Sequence, residues 1–338
     1  MTVHLSICIA TLNRAAFIGA TLESIAAQLP EGVEVVVLDG ASTDGTQSIV
    51  ESFQPQIPTL RYIRQDRNSG VDRDFNTAVE LASGTYVWLM SDDDLVKPGV
   101  LAALMAAVRE EYSLIVLNAE VRTLDLSQEL DGDRLRFGEN RTYAPAQFFQ
   151  LFEDTSAYLT YIGAVVMRRE LWLARDRESF FGSYFIHVGV IFQAPLPGPS
   201  LVIAAPCISI RFGNTQWRPK EFEIRMIRWT RLIWSLPAIP DVVRGRLYRK
   251  DPWRSLKSLV FYRAKGTYSL TEYRKWVAPE LTSSLDALKA VSVACLPGVI
   301  ANLIGLCYCS LPYQDSKIHF LDMKASRFYP GRWFKRKS

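Results

Sequence analysis

Ser91-Asp92-Asp93-Asp94 sets three carboxylates side by side, directly after the apolar run Tyr86–Met90. Adjacent carboxylates repel one another unless a cation holds them. Hard oxygen ligands of this kind suit Mg²⁺ or Mn²⁺, bound by one or two carboxylates and completed by phosphate oxygens. Such an ion would neutralise a departing diphosphate. The plainer reading of the same residues is an acidic N-cap for a helix opening near Pro98, with Asp94 as the cap.

Three further segments carry polar groups of the right type. Asp39-Gly40-Ala41-Ser42-Thr43-Asp44-Gly45-Thr46 offers Asp39 as an acceptor for a base N–H or a ribose hydroxyl, while Ser42 to Asp44 read as turn and helix cap. Thr11-Leu12-Asn13-Arg14 offers backbone groups and the Thr11 hydroxyl to a nucleotide. The stretch from Arg64 to Arg73 brings arginines suited to phosphate.

The elements between these segments explain why they belong together. Apolar, β-branched runs at Leu5–Ala10, Val33–Leu38, Leu60–Ile63, Tyr86–Met90 and Leu114–Leu117 alternate with helix-period segments near 15–28, 44–53, 71–82 and 98–110. That alternation predicts a mainly parallel sheet between helices, an α/β fold. Each polar segment then follows a strand, so Thr11, Asp39, Arg73 and the Asp cluster converge on the carboxyl edge, where open α/β sheets bind ligands. Beyond them, Leu124–Asn140 reads as a loop or hairpin. Thr160–Met167 could return to the sheet, Tyr184–Gln193 has helical spacing, and Leu201–Ile210 reads as a strand leading into Arg211 to Trp217.

These motifs resemble those of the family-2 glycosyltransferases of the GT-A fold. Ala10-Thr11-Leu12-Asn13-Arg14 matches the turn after the first strand, Asp39 to Thr46 matches D-[DNG]-x-S-x-D-x-[ST], and residues 91–94 match the D-x-D signature. Within that family the chain looks most like abequosyltransferase-type enzymes of O-antigen assembly. The points of likeness are Asn68-x-Gly-Val-Asp-Arg73-Asp-Phe, Ala82-Ser-Gly84-x-Tyr86 and a His in place of the usual downstream acid.

The resemblance implies transfer of a sugar from a nucleotide diphosphate donor to an acceptor hydroxyl with inversion. Thr11, Asn13, Arg14, Asp39 and Arg73 would bind the nucleotide, Asp39 through the base. Asp92 would face the ribose and share the Mg²⁺ or Mn²⁺ with Asp93. Inverting members place a general base about 90–100 residues past D-x-D; here His187 stands near that position, and its ordinary pKa of about 6.5 suits a base at neutral pH. Arg211, Asn214 and Trp217 would meet the leaving phosphate and the acceptor. Two departures stand out: Ser91 replaces the first Asp of D-x-D, leaving Asp93 as chief ligand, and Leu12 replaces an aromatic that often stacks on the base.

Composition bounds the rest. The chain has 338 residues, 49% of them hydrophobic, enough for a large core or two domains. The net charge of +4 hides an asymmetry. Residues 1–110 hold 7 Lys/Arg against 14 Asp/Glu, residues 111–210 hold 8 against 12, and residues 211–338 hold 24 against 9. The expected division is therefore a GT-A domain at 1–218 and a basic, partly apolar helical region at 219–338. A basic rear suits an anionic partner, and the acidic front would repel nucleic acid.

Phe222, Met226, Trp229 and Ile233 form an apolar stripe beside Arg225, Arg228 and Arg231, a pattern met on membrane surfaces and equally on helices packed against a catalytic domain. Ala290–Leu311 is the most apolar run; Pro297-Gly298 breaks it into a pair of short helices, buried or dipped into the interface. The tail mixes Arg327, Arg332, Lys335, Arg336 and Lys337 with Phe328, Tyr329, Trp333 and Phe334, suited to anionic headgroups.

Five scattered cysteines without a CxxC pair point to a reducing compartment, and the N-terminus enters a strand pattern at once, without a signal peptide. The expectation is a cytoplasmic protein, peripheral at the inner face of the cytoplasmic membrane, acting on a lipid-linked saccharide. Two other readings remain open. One is a sugar-nucleotide-binding or membrane-scaffold protein with impaired catalysis. The other is a metal-dependent nucleotidyltransferase, which usually has a glycine-rich loop where Thr11–Arg14 has none.

Overall fold

The computed structural model describes residues 2–311 and 316–331. The chain divides into two units, Met1–Phe212 with Leu236–Val243, and Gly213–Ser235 with Arg244–Ser338. The expected boundary at 218 therefore lies six residues late and misses the return of 236–243. Strand β10 ends at Arg211, whose side chain and N–H are fixed on the Asp cluster. Two residues on, Gly213 has φ +109°, a conformation that favours glycine.

The first unit is built on one ten-stranded sheet. Its strands are β1 Leu5–Thr11, β2 Val33–Asp39, β3 Leu60–Arg64, β4 Tyr86–Met90, β5 Leu95–Val96, β6 Leu114–Arg122, β7 Glu129–Asp131, β8 Arg141–Tyr143, β9 Val165–Arg168 and β10 Ser200–Arg211. Its helices are α1 Ile18–Ala26, α2 Thr46–Ser52, α3 Val71–Leu81, α4 Val100–Ala107, α5 Phe148–Thr155, α6 Arg169–Ala174 and α7 Ile186–Phe192. The strand order is β3-β2-β1-β4-β9-β6-β10-β5. The four expected βα repeats form a parallel array in which Thr11 lies beside Asp39 and Asp39 beside Arg64. Strands β1, β2 and β4 are buried along nearly their whole length, as sheets covered on both faces require.

The Leu124–Asn140 segment contains β7, which folds back antiparallel on β6 as a hairpin. The 160–167 run does return to the sheet, as β9, antiparallel between β4 and β6. Gly84 serves the opposite, amino-terminal end of β1. Its N–H donates to the Ser6 hydroxyl, which donates to Glu34; the Ser83 N–H and hydroxyl reach the same carboxylate.

The second unit is helical. It holds α8 Trp229–Ser235, most of α9 Asp241–Leu247, α10 Leu256–Lys265, α11 Leu270–Glu272, α12 Ser284–Cys295, α13 Gly298–Cys309 and α14 Ser316–Ala325. Of the two readings of the apolar stripe, a membrane-facing helix and a packed one, the structure shows it turned inward. Phe222, Trp229 and Ile233 are buried, and Phe222 packs on Tyr262 and Tyr268 in this unit's own core. The arginines beside it pair with Glu221, Glu223 and Glu280.

The apolar run from Ala290 is indeed two short helices, α12 and α13, bent by 97° at their break. Among the described residues no single helix is long and apolar enough to cross a membrane. Of the tail, Arg327 lies over the ring of Phe328. Arg332, Trp333, Phe334, Lys335, Arg336 and Lys337 lie outside the described residues.

Candidate active site

Strand β1 lies between β2 and β4, so the loop after it touches both neighbouring loops. On one side the two βα turns are stitched together. The Asn13 N–H donates to the Ser42 hydroxyl (2.8 Å), the Arg14 N–H to the Thr46 hydroxyl (2.9 Å) and the Ala15 N–H to Asp44 (3.1 Å). In return, Asn13 Oδ1 accepts the Thr43 N–H (2.8 Å). Asn13 was expected at the nucleotide; its side-chain oxygen instead ties the loops, and its φ of +54° is a strained position often found beside functional sites. Ser42, Thr43, Asp44 and Thr46 thus join the two turns.

Asp39 is fully buried at the end of β2. Its two oxygens accept the Ser42 N–H (2.7 Å) and the Tyr62 hydroxyl (2.6 Å). Asp74 stands near it, accepting from Gln65 (2.7 Å) and Ser69 (2.5 Å). Burial raises the Asp74 pKa, those two donors lower it, and the Asp39 charge raises it further. No spacing in the sequence points to Asp74, although it falls within the stretch that resembles the abequosyltransferase type. Arg73, exposed, stacks its guanidinium 4.2 Å from the Phe181 ring, and Asp72 beside it accepts the N–H groups of Tyr184 and Ile186.

On the other side of β1, Arg14 reaches the Asp cluster. Its guanidinium lies 3.3 Å from Asp92 Oδ1 and 3.3 Å from Asp93 Oδ2. Burial, then repulsion from Asp93, pushes the Asp92 pKa up to about 7, against the pull of Arg14. Among the described residues no group of three or more His, Cys, Asp or Glu is placed to hold a metal ion, so a cation at Asp92 and Asp93 would take most of its coordination from phosphate and water.

Asp94 does not cap a helix. Helix α4 starts after Gly99, five residues on. Asp94 Oδ2 instead accepts the Tyr161 hydroxyl (2.7 Å), and Oδ1 accepts the Arg211 N–H (2.8 Å). Burial and the Asp93 charge push its pKa up to about 8. Arg211 donates from Nε to the Asp93 carbonyl (3.0 Å) and from a terminal nitrogen to the Leu124 carbonyl (2.7 Å). The Phe17 ring lies under both Arg211 and Arg14, 5.4 and 5.7 Å from their guanidinium carbons. Tyr161 and Phe17 escape sequence reasoning because neither sits in a motif.

His187, expected as the base, lies on α7, fully buried, with Nε2 at 2.7 Å from the Leu159 carbonyl. A carbonyl only accepts, so Nε2 carries the proton; Nδ1 is buried with no hydrogen-bond partner among the described residues. Burial lowers its pKa to about 4. The imidazole is thus closed off from solvent and weakly basic. Asn214 and Trp217 fall in the second unit, where Trp217 is 36% exposed and its ring lies 5.3 Å from the Arg225 guanidinium.

Thr11, Arg14, Asp39, Asp92, Asp93 and Arg211 thus sit along one edge of one sheet. Known proteins resemble this chain in sequence and in fold. Residues 6–171 match the family model "Glycosyl transferase family 2". The chain is 27% identical over 233 residues to abequosyltransferase RfbV of Salmonella typhimurium, spanning 64% of this chain and 69% of that protein. It is 30% identical over 133 residues to the GalNAc(5)-diNAcBac-PP-undecaprenol beta-1,3-glucosyltransferase of Campylobacter jejuni, spanning 39% of this chain and 43% of that one. Among solved structures, S. aureus TarS 1-349 in complex with UDP-GlcNAc superposes with a TM-score of 0.58 at 16% identity, covering 97% of this chain and 92% of that one. The chain therefore belongs to the family 2 glycosyltransferases, built on the GT-A fold.

Proposed function

We propose that this glycosyltransferase takes a sugar from a nucleotide diphosphate donor and places it, with inversion, on a hydroxyl of a lipid-linked saccharide during O-antigen or other cell-surface polysaccharide synthesis. The observation that carries the donor reading is the Arg14-bridged pair Asp92–Asp93, separated from buried Asp39 by strand β1 alone. Asp39 and Thr11 would hold the nucleoside, with Arg73 at its base or phosphate. A Mg²⁺ or Mn²⁺ ion held by Asp93 and Asp92 would supply charge for the diphosphate leaving group. Arg14 and Arg211 add fixed positive charge on the same side, which stabilises the negative charge that develops there. Asn214 and Trp217 remain candidates for the acceptor. The lipid-linked acceptor is supported by the undecaprenol-linked substrate in the Campylobacter relative's name and by the basic rear of this chain, which suits the inner face of the cytoplasmic membrane.

The test is release of nucleoside diphosphate from a panel of sugar nucleotides, with and without a polyprenyl-diphosphate-linked saccharide, followed by the anomeric configuration of the product. Acceptor-dependent release with an inverted linkage supports the reading; retention of configuration contradicts it. The burial of His187 favours one second reading, a domain that binds a sugar nucleotide without transferring it. No release from any donor, with or without acceptor, would select that reading.

A further inference from the structure

Helix α13 is inverted relative to a helix in water. Gly298, Ala301, Asn302, Gly305 and Cys309 form its buried face. Ile300, Leu303, Ile304 and Tyr308 stand 40–49% exposed, and Leu311 just beyond is 57% exposed. Spacings of three and four residues place these large apolar side chains on one face. A surface helix of a soluble protein turns such a face to the core. Here the small residues face inward and the large ones outward, the arrangement of helices whose outer solvent is lipid.

Packing locks that orientation. A Cβ at Gly298 would come within 2.4 Å of the Phe328 ring, and one at Gly305 within 2.7 Å of the Met323 sulfur and 3.2 Å of Ala264 Cβ. Asn302 fixes the rotation, because its amide donates to the Ala264 carbonyl (3.1 Å) and the Met323 carbonyl (3.0 Å). The leucines cannot turn inward without breaking these contacts.

The rim is cationic. Lys257 on α10 holds its ammonium 4.5 Å from the Tyr308 ring and donates to the Tyr308 hydroxyl. Next to Lys257, Leu256 lines a groove with Leu288 and Lys289 of α12, and both leucines are more than half exposed. Each of α12 and α13 has 12 residues, too short for a hydrocarbon core of about 30 Å. Their 97° bend and one-sided apolar face suit helices lying in the plane of an interface.

We propose that the outward face of α13, with its Lys257 rim, seats this chain in the headgroup–acyl boundary of an anionic bilayer. The proposal deepens the reading of a membrane-borne acceptor and rests on it only for its purpose. Charge selects the occupant. Residues 211–338 carry 24 Lys/Arg against 9 Asp/Glu, which attracts anionic headgroups and opposes a second copy of the same surface.

The test is flotation of the full chain with vesicles of phosphatidylcholine, with and without phosphatidylglycerol, beside the double variant Leu303→Gln/Ile304→Gln. The chain should float with the anionic vesicles, and the variant should lose about tenfold or more of its partitioning while keeping its melting temperature. A variant that floats as well as the parent, or a parent that stays in solution with both vesicles, overturns the proposal. Equal flotation with both compositions overturns the choice of an anionic surface. A parent dimer that becomes monomeric in the variant assigns the face to a second copy instead. Nucleotide-dependent stabilisation is read in parallel: its loss with flotation intact counts against the donor reading alone, and the reverse against the membrane proposal alone.

Discussion

Asp94 and Arg211 are 117 positions apart and share one hydrogen bond of 2.8 Å, from the Arg211 N–H to Asp94 Oδ1. With the Tyr161 hydroxyl on the other oxygen, this carboxyl fastens the end of β10 and the segment before β9 to the Asp cluster. Asp94→Ala should leave two polar groups without their partner, at about 1–3 kcal/mol each, and Tyr161→Phe should cost about 1 kcal/mol. Chemical denaturation of the three proteins checks the order. Equal stability of Asp94→Ala and the parent would deny Asp94 this fastening role.

Gly84 offers a test away from the chemistry. A Cβ there would stand 2.8 Å from the Ser6 backbone nitrogen and 3.0 Å from the Leu5 carbonyl carbon, so strand β1 itself would have to shift. Gly84→Ala should destabilise by about 1–3 kcal/mol, a usual cost of overpacking, with lower yield of folded protein. A melting temperature within a degree of the parent would show that the turn has slack. The motif around Gly84 was legible in the sequence as a family likeness. Its physical reason was not, because the clash partner Ser6 lies 78 positions away.

That contrast holds for the molecule as a whole. Strands β1, β2 and β4 are plain in the sequence because each is a largely apolar run closed by a polar turn, while β3 is weaker, with Arg61 inside it and Arg64 at its end. The place of β9, antiparallel between β4 and β6, was hidden, because an apolar run does not say which strand it joins. Asp39 and the Asp92–Asp93 pair could be found because they follow strands. The tie between Asn13 and Thr43, and the roles of Tyr161 and Asp94, depend on loops whose geometry only the fold sets. His187 was misplaced for a related reason: spacing from D-x-D locates a segment, while burial decides whether its side chain meets solvent.

Burial of His187 has a pH signature. Its folded pKa of about 4 lies below the ordinary 6.5, so between those values the unfolded chain binds more protons at this site. The contribution is therefore present above pH 6.5 and lost as pH falls toward 4, about 3 kcal/mol in all. His187→Leu should flatten the stability profile across that window and leave nucleotide-dependent stabilisation in place. An unchanged slope would mean that the imidazole is solvated.

Asp93→Ala should lower sugar transfer by about a hundredfold or more, the scale of losing a group that stabilises developing charge. Its melting temperature should hold or rise, since a charge that repels Asp92 and Asp94 is gone. Initial rates and thermal melts on the same preparation separate the two effects. Full activity would remove Asp93 from the reaction.

In the proposed donor site Asp92 and Asp93 hold a cation against a nucleotide diphosphate. Its most direct test is the melting temperature of the parent and of Asp93→Ala with UDP, GDP, CDP and dTDP, each with and without Mn²⁺. A ligand that binds only the folded chain raises its stability. One nucleotide should raise the parent's melting temperature when Mn²⁺ is present, and that rise should vanish in Asp93→Ala. No rise with any nucleotide, or the same rise in both proteins, would contradict the claim.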